Sequence, residues 1–204
     1  DRYFEKKEYD RVLQVLDESI ELDKAYRGQV LEYNQKKKEI YRLQGNKSAY
    51  IEQLWKLVLE QSAGDLDIYK ELKAQYSEKE WLIKREELFK KLPPNAHIDR
   101  LYKEEKLYDR LLAYVLKSSG LYAVQSYENV LKKEYPKQIL SKYQDEVNKM
   151  ASCTGNRKHY ADLVALLRRM KRIKGGSEIV ETIVEEWKIK YRNRPAMMDE
   201  LSKL

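Results

Sequence analysis

A chain of 204 residues has room for one large domain or two small ones, and enough length to bury a core without covalent or metal staples. Its single cysteine, Cys153, excludes an internal disulfide and any zinc cluster built from several thiolates, and no apolar run approaches the roughly 18 to 20 residues that a membrane helix requires. Net charge is +7, from 41 Lys and Arg against 34 Asp and Glu, but the two signs interleave along the chain, which argues against a uniformly basic nucleic-acid surface.

Charged residues make up 37% of the chain, Gly and Pro together only 11 positions, and Leu, Lys, Glu and Tyr dominate. That mixture predicts an all-α protein of amphipathic helices. The lone cysteine fits a reducing, cytoplasmic setting, and a chain beginning at Asp1 without methionine is expected to be part of a longer protein.

The first predicted helix runs through Tyr3, Tyr9, Leu13, Leu16 and Ile20. Between Tyr3 and Leu13, seven of eleven residues recur 99 positions later, between Tyr102 and Leu112. A second helix over Tyr26 to Leu43 places Val30, Tyr33, Ile40 and Leu43 inward and Lys36, Lys37 and Lys38 outward, and is closed by Gly45. Its echo at 110 residues is Pro136 to Thr154, with Leu140, Tyr143 and Met150 in place of Val30, Tyr33 and Ile40. The offset has grown because Leu121, Val124, Tyr127, Leu131 and Tyr135 form an additional helix between Gly120 and Tyr135.

Next comes a pair of helices opened by Gly45-Asn46 in one copy and Gly155-Asn156 in the other. Tyr50, Leu54 and Leu57 answer to Tyr160, Val164 and Leu167. After the glycines Gly64 and Gly175, Ile68, Leu72 and Tyr76 answer to Ile179, Ile183 and Trp187. Each copy is expected to close with a short helix, containing Glu87-Leu88 in the first and Glu200-Leu201, behind Pro195, in the second. The double proline in Leu92-Pro93-Pro94-Asn95 cannot continue a helix and sets the expected division into units 1–95 and 96–204. Helices that each bury one stripe must stack to complete a core, so the expected architecture is a duplicated set of antiparallel helical hairpins in a tetratricopeptide-like α-solenoid. Seventeen tyrosines against two phenylalanines suit half-buried packing in so thin a layer.

Sites for chemistry are scarce. Cys153 and His159 are six apart and His97 is remote, so no metal site is expected. Cys153 stands at a helix end whose field disfavours a thiolate. Gly175-Gly176-Ser177 lacks the strand and lysine of a phosphate loop. Neither enzymatic activity nor a cofactor is expected. One segregated cluster of charge remains: Arg157, Lys158, Arg168, Arg169, Lys171, Arg172 and Lys174, with only Asp162 among them. On a helical wheel Tyr160, Leu163, Val164, Leu167 and Met170 take the inner side and the cations the outer arc. A solvated face is the first reading of that arc, an acidic protein partner the second, and nucleic-acid backbone the third.

The order Tyr160-Ala161-Asp162-Leu163-Val164-Ala165-Leu166-Leu167-Arg168-Arg169-Met170-Lys171, then Gly175-Gly176, then Tyr191-Arg192-Asn193-Arg194-Pro195 ahead of Glu200-Leu201, resembles the helical C-terminal region of bacterial SWIM zinc-finger proteins. The resemblance covers residues 108 to 204 best. The Cys-x-Cys and Cys-x-His pairs that define the finger have no match here, so none of its ligands carries over. The resemblance implies a finger ahead of Asp1 and a scaffold role for this chain. The resulting expectation is a non-catalytic interaction module that takes a protein or peptide in the groove of a curved array. The alternative is an accessory nucleic-acid domain using helix 157–174.

Overall fold

The structure, a computed structural model, describes residues 8–204. Among them every regular element is helical, and no helix is long and apolar enough to cross a membrane. The chain forms two compact units that part between Glu105 and Lys106. Lys106 sits at the parting in the left-handed region, with φ of 55°. The expected break at Leu92–Asn95 therefore falls inside the first unit.

The first unit contains α1 (Tyr9–Leu22), α2 (Arg27–Leu43), α3 (Lys47–Lys56), α4 (Leu66–Lys73), α5 (Glu78–Lys91) and α6 (Ile98–Glu104). A π-helical turn, Leu57–Gln61, carries α3 onward. Consecutive helices pack on one another from α1 to α4, and α6 returns onto α4. The α1 helix starts at Tyr9 behind Glu8, and the Tyr3–Lys7 part of the expected first helix lies outside the described residues. Leu54, Leu57, Val58, Tyr69, Leu72, Trp81, Leu88 and Leu101 form the core.

Helix α2 departs from its expected pattern. Lys37 and Lys38 are buried, whereas Leu43 is exposed. The helix has α1 on one flank and α3 on another, so its neighbours cover more than one stripe. The two lysines bury their alkyl stems and carry the charge to acids on neighbouring helices, Lys37 to Asp17 of α1 and Lys38 to Glu71 of α4 at 2.7 Å. Asn34, also buried, accepts a 2.9 Å hydrogen bond from the Gln53 amide of α3. An apolar stripe is thus interleaved with a fully partnered polar one. At the end of α2, Gly45 with φ of 69° closes a Schellman motif, in which the Gly45 and Asn46 amides return to the Arg42 and Tyr41 carbonyls. Asn46 then caps α3, its side chain accepting from the Ala49 amide.

The second unit contains α7 (Tyr108–Lys117), α8 (Tyr122–Leu131), α9 (Pro136–Ser152), α10 (Arg157–Lys171), α11 (Gly176–Lys190) and α12 (Pro195–Leu201). Neighbours in sequence pack together from α7 to α11, and α12 returns onto α10. Leu111, Val115, Val124, Leu131, Ile139, Tyr143, Val147, Leu167, Met170, Val180, Ile183 and Trp187 are buried. Trp187 also donates its indole N–H to Asn148 Oδ1 at 2.8 Å. Leu167 has no exposed surface. Leu167→Ala is expected to cost about 2–5 kcal/mol. Urea unfolding of the full chain is the check, and a loss below about 0.5 kcal/mol would place this side of α10 outside the core.

Several predicted correspondences appear in the helices themselves. Helices α1 and α7 both open on Tyr-Asp-Arg, at Tyr9 and Tyr108, while α2 and α9 are both 17 residues long. Asn46 and Asn156 cap α3 and α10 in the same way. Gly64 and Gly175 are both left-handed, at 76° and 82°. The additional helix of the second unit is α8, which follows α7 directly and precedes α9, whereas α1 leads straight into α2.

Other expectations fail. The stretch Tyr102 to Leu112, which repeats residues of the predicted first helix, is itself divided, because α6 ends at Glu104, Lys106 turns left-handed, and α7 begins at Tyr108. The helix expected to close the first unit, α5, has 14 residues and not a short turn or two, and it is followed in that unit by the seven-residue α6, while α12 has seven. Where α11 runs for 15 residues, α4 stops after eight. Ser77 causes part of this change: it forms a capping box with Glu80 and starts a new helix just after Tyr76, the counterpart of the mid-helical Trp187.

Candidate functional site

The cationic helix α10 is fixed in place by its own first turn. Gly155, unlike Gly45, has no left-handed φ, and its reason to be glycine is space, because a Cβ there would strike the His159 ring. That ring donates from Nε2 to the Met150 carbonyl at 3.1 Å, and the Gly155 amide donates to the Tyr160 hydroxyl at 3.2 Å. Asn156 caps the helix by accepting from the His159 amide. The opposite end is equally constrained, since a Cβ on Gly176 would collide with the Met170 carbonyl. Tyr160, Leu163, Val164, Leu167 and Met170 all face inward, as the wheel predicts.

The seven cations of the predicted arc do not share one environment. Arg157 pairs with Asp199 of α12 at 2.7 Å and lies 3.5 Å from Glu200. Arg168 donates to the backbone carbonyl of Lys203. Arg169, half-buried, reaches α8, where it binds the Glu128 carboxylate and donates to the Gln125 carbonyl at 3.2 Å. Lys158, Lys171, Arg172 and Lys174 make no ion pair among the described residues. The arc is therefore partly a set of struts from α10 to its neighbours, and only part of it is solvated charge.

Glu128 is the centre of this arrangement. It is 5% exposed, and it accepts from the buried Tyr143 hydroxyl at 2.7 Å, from Arg169, and from Lys132 at 3.4 Å. Burial pushes its pKa up, but the hydrogen bonds from Tyr143 and Arg169 outweigh burial and hold the carboxyl below its ordinary range. Tyr143 moves the other way: burial, and then the bond to a carboxylate, raises its pKa. The site is thus a fixed carboxylate with its counter-charges converging from two helices.

Above that carboxylate α8 and α10 enclose a groove of about 480 Å³, lined by Asn129 and Lys132 on one side and Arg168, Arg169 and Arg172 on the other. Four cations against one carboxylate leave it strongly positive. Lys132, Asn129 and Glu128 are not part of the cationic arc that the sequence marks out. Glu128 had a legible signal nonetheless, because it stands among Val124, Tyr127 and Leu131 on the apolar stripe of α8, where an acid must find a buried partner.

The first unit makes the same tyrosine–carboxylate bond by another route. Tyr33, the counterpart of Tyr143, donates to Asp23 at 2.8 Å, and Asp23 lies in the turn after α1 because this unit has no α8. This unit also holds Glu105, whose largely buried side chain binds Lys73 and Arg85 and accepts from the Trp81 indole. A second groove, of about 410 Å³, is lined by Lys37, Tyr41, Glu52, Trp55, Lys56 and Glu60, where both signs alternate.

Among the described residues no three His, Cys, Asp or Glu side chains are placed to hold a metal ion. Cys153 is exposed, with its thiol 3.8 Å from the Lys149 carbonyl, and His159 is engaged at Met150. Neither has the other as a partner. What the structure brings together is a basic groove on a helical frame, and no family model, curated protein or solved structure matches the chain.

Proposed function

We propose that this chain is a non-catalytic helical-repeat scaffold, of tetratricopeptide-like solenoid character, that binds another protein through its second unit. One observation carries the reading: the groove between α8 and α10 presents cations whose helices are held rigidly by Glu128, Tyr143 and Arg169, so the surface is preorganised. Serial packing of neighbouring helices within each unit supports the repeat character. The resemblance to the helical region of bacterial SWIM zinc-finger proteins fits the same role. A Cys-x-Cys and Cys-x-His signature encoded ahead of Asp1 in the full gene would support that relation.

The test is selection from a random-peptide display library on the immobilised chain, with an Arg168→Glu/Arg172→Glu variant as the counter-target. Peptides should be enriched on the unaltered protein and bind it at one site. A library that enriches nothing on the unaltered chain beyond what the variant retains sinks the reading. Selective capture of duplex DNA in a parallel arm would favour an accessory nucleic-acid domain instead.

A further inference from the structure

We infer that the α8/α10 groove is built for an acidic protein segment carrying two carboxylates about 6 Å apart, and not for a nucleic-acid backbone; this rests on the protein-binding reading above. The spacing comes from Arg168 in the last turn of α10 and Arg172 at its C-cap, four residues on and still in right-handed helical backbone, a rise of about 6 Å along the axis. Carboxylates at positions i and i+4 of a helical ligand have the same spacing. Each guanidinium offers a planar fork of donors that fits a carboxylate, and the single bond from Arg168 to Lys203 leaves most of its donors available. Arg172 makes no ion pair among the described residues and is exposed. Lys132 adds a third cation from the opposite wall, and the Asn129 amide can donate or accept beside it.

Two features turn the site away from a polyanion. The floor carries the Glu128 carboxylate, which a continuous phosphate backbone would approach but a ligand with two local charges need not. Helix α11, packed against α10, exposes Glu178, Glu181, Glu185 and Glu186 along one side. The helix that follows the basic one therefore exposes acids and not a continuation of the cationic run. Nucleic-acid binding draws its affinity from many phosphate contacts along an extended basic track, whereas the cations lining this groove are Lys132, Arg168, Arg169 and Arg172, two of them already bound to Glu128. An acidic segment seated in the groove gains its pairs locally, and the Glu128 carboxylate on the floor disfavours a charge placed over it through like-charge repulsion.

Fluorescence anisotropy on the full chain at about 0.15 M salt tests this with four probes. They are a helical peptide bearing Glu at i and i+4, its twin with Gln at those positions, a single-stranded DNA and a DNA duplex of similar length. The Glu peptide is expected to bind at least about tenfold more tightly than the Gln twin. Arg168→Glu/Arg172→Glu should abolish that preference. Lys24→Glu/Arg27→Glu, the same change of charge on exposed first-unit residues, should leave it intact. Arg172→Gln, a milder change at an exposed position, serves if circular dichroism shows the double reversal misfolded, and it should narrow the preference several-fold.

Equal binding of the two peptides, or tighter DNA binding that depends on Arg168 and Arg172, overturns the inference. If the Glu peptide fails while library-selected peptides still bind, the acidic ligand is wrong and the scaffold reading stands. If neither binds, both fail.

Discussion

Glu105→Ala is expected to destabilise the protein by about 3–5 kcal/mol, the size associated with breaking a buried ion pair from one side. Glu105 closes α6, and its carboxylate accepts from Lys73 of α4 at 2.8 Å, from the Trp81 indole of α5 at 3.2 Å, and from Arg85 of α5 at 3.1 Å. One side chain thus ties three helices. Alanine would leave the Trp81 N–H unpaired inside the core and the largely buried Arg85 guanidinium with Glu86 alone. Lys73 is more exposed and can turn to water, so most of the loss falls on Arg85 and Trp81. Urea unfolding at neutral pH should show a lower midpoint with an unchanged slope, and a loss under about 1 kcal/mol would show that the carboxylate is not a clamp.

The same residue gives the stability a pH dependence. Burial pushes Glu105 up, but the bonds from Lys73, Trp81 and Arg85 outweigh it and leave the folded pKa below the ordinary value of 4.5. A carboxyl depressed in the folded state contributes stability above its unfolded pKa, and that contribution fades as pH falls through the folded value. The unaltered chain should therefore lose stability below about pH 4.5 more steeply than Glu105→Gln, which has no proton to bind at that position. Parallel slopes for the two proteins between pH 5 and 3 would remove Glu105 from the acid transition.

Both clamps show where periodicity stops informing. The apolar stripes of α10, with Leu163, Val164, Leu167 and Met170, and of α8, with Val124, Tyr127 and Leu131, are legible because burial follows a 3.6-residue period. The glycine turns at Gly45, Gly64 and Gly175 are legible because their left-handed backbone disfavours a side chain. Lys37 and Lys38 are not, because a lysine on a flank buried by a second neighbour has the same sequence signature as one in water, and only the position of Asp17 or Glu71 distinguishes them. The candidate site divides in the same way. Its cations stand out as a local run on α10, whereas Glu128 and Lys132 belong to a helix some forty residues earlier, and their relation to Arg169 is purely tertiary. The parting at Glu105–Lys106 was hidden by the double proline, a stronger local signal that marks only the turn between α5 and α6.

Removal of Glu128 should be as costly as removal of Glu105, about 3–5 kcal/mol, but for a different balance of reasons. Arg169 is roughly a third exposed and can recover hydration, while the Tyr143 hydroxyl sits on a residue with no exposed surface. In Glu128→Ala the dominant penalty is therefore an unpaired buried hydroxyl beside a lost strut between α8 and α10. A double-mutant cycle separates the two contributions. Tyr143→Phe removes the hydroxyl while leaving the Glu128–Arg169 pair, so the double variant Glu128→Ala/Tyr143→Phe should lose less than the sum of the single changes, by about 1 kcal/mol or more. Strict additivity would mean that the tyrosine and the glutamate do not share an energetic bond. The counterpart Tyr33→Phe provides the comparison, since Tyr33 and its partner Asp23 are only partly buried, and its effect should be the smaller of the two. If Tyr33→Phe proved the more damaging, burial would not be what gives this recurrent tyrosine–carboxylate bond its weight in the second unit.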